Sequence, residues 1–337
     1  MENRNVKQHK RKRYAILLTL VAAALAFSQG CGTKDQITEA SSSGVPKTLN
    51  YGYIGTNALN VPGGAEGWGF HKGIIQEELK KHGIETVNLT AFPNGPDLSE
   101  SLISGRLDFG SLGDTPAILS RSTGAKTKVI TQGSTDSIGY LVAKKGGPSS
   151  LEELKGKTVA TQKGSFHHRY LAGLLKKEGL AEDVKVIHLL RVDAEAALAR
   201  GEIDAMTNTG VYTLKQIDEG YTLLDDATKH PELYGTSVTA VSEDYLAKYP
   251  DFAKAWNEAR SKALEDLKQH QEEYYAFLAE LQSTKVEYVK KVSPIELIKE
   301  VPFTEEGLQL LEGTKAFLVE EKLAETDFAL DDWLIKP

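Results

Sequence analysis

The chain has 337 residues, 40% apolar and 26% charged, with 30 Gly, 11 Pro and one Cys; these proportions exclude disordered and collagen-like chains, and a lone Cys excludes a disulfide framework. The formal charge of −7 hides an asymmetry: the first thirty residues hold six Lys or Arg against one Glu, so the 40 basic and 47 acidic side chains become 34 and 46 without them, a net −12. So acidic a body argues against nucleic acid as a partner, and its length exceeds what one core usually fills, so two lobes are expected.

Arg4, Lys7, Lys10, Arg11, Lys12 and Arg13 precede an apolar run of thirteen residues, Ala15 to Phe27, interrupted only by Thr19. That is the plan of a secretory signal over residues 1–30. Thirteen helical residues reach about 20 Å, short of a hydrocarbon core of about 30 Å, so a spanning helix fits less well. Ser28, Gln29 and Gly30 lead directly to Cys31, an arrangement that resembles the lipobox of bacterial lipoproteins, although Ser28 and Gln29 depart from its usual Leu and small residue. Cys31 is therefore expected to carry lipid, and residues 31–47, with Ser41, Ser42 and Ser43, to form a flexible tether.

From Thr48 onward short β-rich runs alternate with helical periodicity, which predicts an α/β fold of mostly parallel sheets flanked by helices. Strands are predicted at Thr48 to Ile54, Thr86 to Phe92, Leu107 to Ser111, Thr127 to Gln132, Gly139 to Ala143, Thr158 to Gln162, Val184 to Leu189, Ile203 to Met206, Tyr221 to Leu224 and Ser237 to Val241. One helix is expected over Trp68 to His82, and a short one capped by the Asp97 and Glu100 spacing. A long helical stretch should run from Tyr245 through Gln282, and another from Thr304 to about Lys322. An internal echo supports two similar lobes: Gly105-Arg-Leu-Asp108 and Gly201-Glu-Ile-Asp204 are each followed, nineteen residues after the Gly, by Gly124 or Gly220 and a strand. The first lobe should comprise 48–134 and 237–337, the second 135–236, with hinge crossings at Gly133 to Ser137 and Tyr234 to Ser237.

In open parallel sheets a ligand binds beyond the carboxyl ends of the strands. Two loops there are candidates, Gly113-Asp114-Thr115 before Pro116, and Lys163-Gly164-Ser165 before Phe166-His167-His168. Each offers backbone N–H groups at a helix start, where helix polarity favours an anion by about 0.3 to 1 kcal/mol. Thr115 and Ser165 could equally be helix caps, and Asp114 an acceptor for neighbouring N–H groups. His168 should face the cleft, with His167 as a solvated surface residue. There is no phosphate-loop, H-E-x-x-H or G-x-S-x-G pattern, so neither catalysis, metal nor cofactor is expected.

Ser104-Gly-Arg-Leu-Asp108-Phe-Gly-Ser-Leu-Gly113-Asp114-Thr115-Pro116 and Leu154-Lys-Gly-Lys-Thr-Val-Ala-Thr-Gln-Lys163-Gly164-Ser165 are similar to two motifs of the aliphatic sulfonate, taurine and nitrate branch of ABC-transporter substrate-binding proteins. The resemblance implies a two-lobed periplasmic-binding fold (type II) that closes on its ligand, with a membrane permease and a cytoplasmic ATPase as partners. It also implies a monomer exported to the outer face of the membrane. Departures fall at Leu112, at Phe166 and in the second lobe, where the family's W-x-x-W-D-P-Y is reduced to Tyr212 in a stretch that includes Thr209. The resulting expectation is a binding protein for a small anion, with Gly113, Thr115, Gly164 and Ser165 at the anionic head and Asp114 and Lys163 among the ligand-binding residues. Asn57, His168, Thr209 and Tyr212 complete the site, and Trp68 either covers an apolar part of the ligand or packs its own helix. The alternatives are nitrate, taurine or a thiamin-pyrimidine precursor as ligand, a surface sensor, or a thiamin-pyrimidine synthase-like enzyme built on Lys163 and His168.

Overall fold

The computed structural model describes residues 44–336 except Thr56 and Ala58. The expected signal, Cys31 and most of the expected tether therefore lie outside the described residues. The tether's last residues belong to the body: Val45 packs on the first core, and the Lys47 carbonyl accepts from the Glu85 and Thr86 N–H groups at 2.8 and 3.0 Å. Among the described residues no helix is long and apolar enough to cross a membrane.

The chain begins β1 (Thr48–Ile54), α1 (Gly64–His71), α2 (Ile74–Lys81), β2 (Thr86–Phe92), α3 (Gly95–Ile103), β3 (Phe109–Gly113), α4 (Asp114–Ser122) and β4 (Thr127–Ser137). It continues with β5 (Gly139–Ala143), β6 (Thr158–Thr161), α5 (Phe166–Lys177), β7 (Lys185–His188), α6 (Arg191–Arg200), β8 (Ala205–Thr209), α7 (Gly210–Asp218), β9 (Thr222–Asp226) and β10 (Gly235–Ser242). Then come α8 (Glu243–Lys248), α9 (Phe252–Gln269), α10 (Gln271–Leu281), α11 (Val286–Val292) and α12 (Glu305–Glu320).

Two five-stranded sheets result, ordered β2-β1-β3-β10-β4 and β7-β6-β8-β5-β9. In each, three parallel strands are followed by one antiparallel strand, β10 or β5, that arrives from the other sheet. The echo in the sequence is thus an echo in space, with β3 matching β8 and β4 matching β9. Its two aspartates do the same work. Asp108 Oδ2 accepts from the Asn50 N–H of β1 at 2.7 Å, and Asp204 Oδ2 from the Thr158 N–H of β6 at 2.9 Å. Each carboxylate pins the start of the neighbouring strand, setting where the parallel register begins. This explains why β3 starts at Phe109, two residues later than predicted.

Several helices are shorter than predicted. The helix expected over Trp68 to His82 is α1 and α2, broken at Gly73, whose φ of +77° lies in the left-handed region. The stretch from Tyr245 is α8, α9 and α10, interrupted at Tyr249–Asp251, around Pro250, and at His270. Asn94, not Asp97, caps α3: its Oδ1 accepts from the Asp97 N–H at 2.8 Å and its Nδ2 donates to the Asp97 carboxylate. α11 was not anticipated.

The first sheet's core is aromatic. Tyr51, Phe109, Phe252 and Trp256 are fully buried, and the Phe109 ring stands edge-on to Phe252 and Trp256 with centroids 5.0 and 4.7 Å apart. The second sheet's core, around Leu141, Val159, Leu171 and Leu174, is mostly aliphatic, with Tyr170 as its buried aromatic residue. Burying a side chain of this size contributes roughly 1.5–3 kcal/mol, enough to hold each sheet rigid under its loops.

Candidate functional site

Six helices, α1, α3, α4, α5, α6 and α7, each follow the carboxyl end of a parallel strand, so their N-termini gather where the two sheets face one another. The space between them has three adjoining compartments. The first, about 280 Å³, is walled by Tyr51, Tyr53, Gly95, Ser111, Gly113 and Pro116 from one side and by Gln162, Ser165, Phe166 and His167 from the other. Its one charged lining side chain among the described residues is Glu66. That carboxylate accepts from Arg260 Nε at 2.8 Å, and the pair is buried. The other polar groups are neutral, and Tyr51 Oη, Ser111 Oγ and Thr239 Oγ1 form a chain with steps of 2.7 and 2.9 Å.

The second compartment, about 470 Å³, shares Ile54, Gly63, Gln162 and His167 with the first. It adds Asn57, Arg191, Asp193, Asn208, Thr209 and Tyr212. There the Arg191 guanidinium lies 3.7 Å from the Tyr212 ring centroid and donates to Glu195 at 2.8 Å. A third compartment, about 430 Å³, runs along Glu66, Asp136, Tyr140, Thr209 and Arg260.

The two walls meet at small residues. A Cβ on Gly164 would lie 3.1 Å from Pro96 Cγ, and one on Gly210 3.2 Å from Val292 Cγ2.

The predicted residues divide into those at the cleft and those behind it. Gly113 and Ser165 line the first compartment, and Asn57, Thr209 and Tyr212 the second. Ser165 is also a cap, its Oγ donating to the Gln162 carbonyl at 2.6 Å and accepting from the His168 N–H at 3.4 Å. Asn57 spends both ends of its amide on its own loop, at Val61 and Leu59.

Asp114 is fully buried and lines none of the compartments. Its Oδ1 accepts from the N–H and Oγ1 of Thr115 at 2.5 and 3.0 Å, and its Oδ2 from the Thr236 N–H and Thr314 Oγ1 at 2.9 and 3.2 Å. With both oxygens engaged within the protein it is placed as a structural acceptor, the second of the two roles considered for it in the sequence. Thr115 turns its hydroxyl to Asp114, and Gly113 is the residue before the helix. Pro116, predicted to open α4, is its third residue and has no N–H to offer.

Lys163 is exposed on the turn, its N–H donating to His188 Nδ1 at 3.0 Å, and lines none of the compartments. His168 also stands outside these walls, its pKa pushed down by burial and by the neighbouring Lys163 and His188. The pair required by the enzymatic alternative is therefore not brought into the cleft. Trp68 packs its own surroundings: it is buried, its Nε1 donates to Asp266 at 2.7 Å, and its ring meets Tyr274 and Phe277 edge-on.

A family model described as NMT1/THI5 like matches residues 79–274. The chain belongs to that family. Over 204 residues it is 30% identical to a protein of Escherichia coli (strain K12) named for binding aliphatic sulfonates, a match covering 54% of this chain and 58% of that one. Over 227 residues it is 28% identical to a Bacillus subtilis (strain 168) protein of the same name, covering 65% of this chain and 68% of the relative. The matched stretch thus spans a little over half of the E. coli relative and about two thirds of the B. subtilis one. The alkanesulfonate-binding protein SsuA from Xanthomonas axonopodis pv. citri, solved bound to MOPS, superposes with a TM-score of 0.71 at 21% identity, covering 87% of this chain and 99% of that one. At that identity the likeness establishes the fold, a two-lobed periplasmic-binding-protein fold.

Within this family member, sequence reasoning passed over three features of the cleft. The Glu66–Arg260 pair joins residues 194 apart, and nothing in either segment announces the other. Arg191 opens α6 beside the second compartment, a position that a strand-end rule could have flagged. His167, expected at the surface, lines both the first and second compartments. Its Nε2 is closed off from solvent with no hydrogen-bond partner among the described residues, and burial pushes its pKa down to about 4. Nothing in the Phe166-His167-His168 run itself says which histidine lines the cleft.

Proposed function

We propose that this chain is an extracytoplasmic solute-binding protein that captures a small anion of the aliphatic sulfonate class and delivers it to an ABC permease and its ATPase. The observation that carries this reading is the first compartment. Helix starts from both sheets contribute to it, its polar wall is neutral, and its one lining carboxylate is already paired with Arg260. A sulfonate is a permanent single charge whose oxygens only accept. Backbone N–H groups at helix starts, together with Ser, Tyr and His side chains, are what such a group needs.

In this reading the head lies between Gly113 and Ser165, and the substituent extends past Gln162 toward Asn57, Thr209 and Tyr212. Residues 48–134 with 237–337 and residues 135–236 act as the two closing lobes. Lipid on Cys31 holds a monomer at the outer face of the membrane. The names of the two bacterial relatives support the choice of sulfonate over nitrate, which would leave most of a 280 Å³ compartment to water.

Isothermal titration with propanesulfonate, MOPS, taurine, nitrate and a thiamin-type aminopyrimidine tests the assignment. At least one sulfonate is expected to bind at micromolar Kd or tighter, with nitrate at least about tenfold weaker, a gap of about 1.4 kcal/mol. Binding of the pyrimidine with no response to any sulfonate would overturn it.

A further inference from the structure

We propose that Arg191 is a specificity-determining residue of this cleft: its guanidinium receives a carboxylate at the far end of the substituent, so that the preferred solute is a sulfonate charged at both ends and not a plain alkanesulfonate. The inference rests on the sulfonate reading above and deepens it by naming the substituent.

Three observations on the second compartment carry it. First, the guanidinium is held in place before any ligand arrives. Its carbon lies 3.7 Å from the centre of the Tyr212 ring of α7, and its Nη1 donates to Glu195, one helical turn on, at 2.8 Å. Glu195 is steadied in turn by Asn208 of β8, whose Nδ2 donates to the same carboxylate oxygen at 3.4 Å. A side chain so fixed has less conformational freedom left to lose on binding. Second, these contacts use one of the three guanidinium nitrogens. Nε and Nη2 have no hydrogen-bond partner among the described residues, and their two N–H groups form the fork that matches the two oxygens of a carboxylate. Third, the group can be reached. The Arg191 side chain is 34% exposed, and it lines the second compartment, which adjoins the first at Gly63 and Gln162.

The other charged side chains on these two walls are Asp193 and Glu66, the latter already paired with Arg260. Asp193 is the residue that would instead select an ammonium at the far end. It is exposed, and residues two apart on a helix do not face one another, so it neither pairs with Arg191 nor shares its direction. Water screens a charge so placed, whereas the half-buried guanidinium, oriented by Tyr212 and Glu195, acts on a ligand through less solvent. The geometry therefore favours the carboxylate.

The test is calorimetric titration of wild type, Arg191→Leu and Arg191→Lys at about pH 7.5, where carboxylates and ammonium groups are both charged. The probes are three series of matched length, with chains of about three to five carbons: alkanesulfonates, ω-aminoalkanesulfonates and ω-sulfocarboxylates. Wild type is expected to bind the best sulfocarboxylate at least about tenfold tighter than the best alkanesulfonate, the low end for hydrogen bonds to a charged group. Arg191→Leu should shrink that ratio to about twofold or less, and Arg191→Lys, which keeps the charge and loses the fork, should leave an intermediate ratio. A wild type that binds alkanesulfonates or aminoalkanesulfonates as tightly as the sulfocarboxylates overturns this inference and leaves the proposed function standing. A sulfocarboxylate preference that survives undiminished in Arg191→Leu does the same. If wild type binds none of the three series, both fall.

Discussion

Asp114 accepts four hydrogen bonds with two oxygens in a site closed to water, tying the start of α4 to Thr236 at the head of β10 and to Thr314 in α12. Removing such an acceptor leaves buried N–H and O–H donors without partners, and a buried donor so stranded costs about 1–3 kcal/mol. Asp114→Ala should therefore lower the free energy of unfolding by about 3 kcal/mol or more in chemical denaturation. Asp114→Asn, which keeps one acceptor oxygen, should lose less. Because the carboxylate lies behind the cleft, the sulfonate Kd of Asp114→Asn is expected to stay within about twofold of wild type, under about 0.5 kcal/mol. A large change in Kd at unchanged stability would return Asp114 to the ligand. In sequence, a residue in a ligand-associated loop and a residue that braces the loop look alike. The distinction rests on Thr236 and Thr314, whose proximity exists only after folding.

At the scale of elements, all ten strands of the described residues were legible because each is a short β-rich run between turn residues, and the repeated unit foreshadowed the likeness of the two sheets. Helix ends were less legible, since apolar periodicity continues through the breaks at Gly73 and His270. The same limit reversed the two histidines: one residue of phase at the start of α5 exchanges the cleft-facing side chain for its neighbour. The turn before α5 has a narrower tolerance. Gly164 has φ +78°, and a Cβ there would press on Pro96 across the cleft. Gly164→Ala should cost about 1–2 kcal/mol in backbone strain alone. It should also weaken sulfonate binding about tenfold or more, about 1.4 kcal/mol, because the added methyl holds the two walls apart. Calorimetry with denaturant melts on the same variant checks both effects, and a variant with wild-type affinity would show that the Gly164–Pro96 approach is not needed for closure.

For the whole molecule, the two crossings between sheets form one antiparallel ribbon, β4 against β10, with Gly235 opposite Ser137 and Ser237 opposite Ser134. Its register shifts between Gly235 and Ser237, again before Val238, and again after Thr239. Irregular pairing of this kind bends and twists more readily than a regular ladder, as a hinge requires. Two of the helices that open onto the first compartment, α4 and α5, grip this crossing. α4 holds Thr236 through Asp114, and α5 holds the Leu233 and Tyr234 carbonyls through the buried guanidinium of Arg169 at 3.2 and 2.5 Å. In the proposed function, a ligand drawn to both helix starts is thereby linked to the segment proposed as the hinge. The crystal structure of the complex with propanesulfonate measures this most directly. The account predicts the sulfonate group between Gly113 and Ser165, touched by residues of both sheets. A sulfonate held by residues of one sheet only, or seated outside the compartment walled by Gly113 and Ser165, would contradict it.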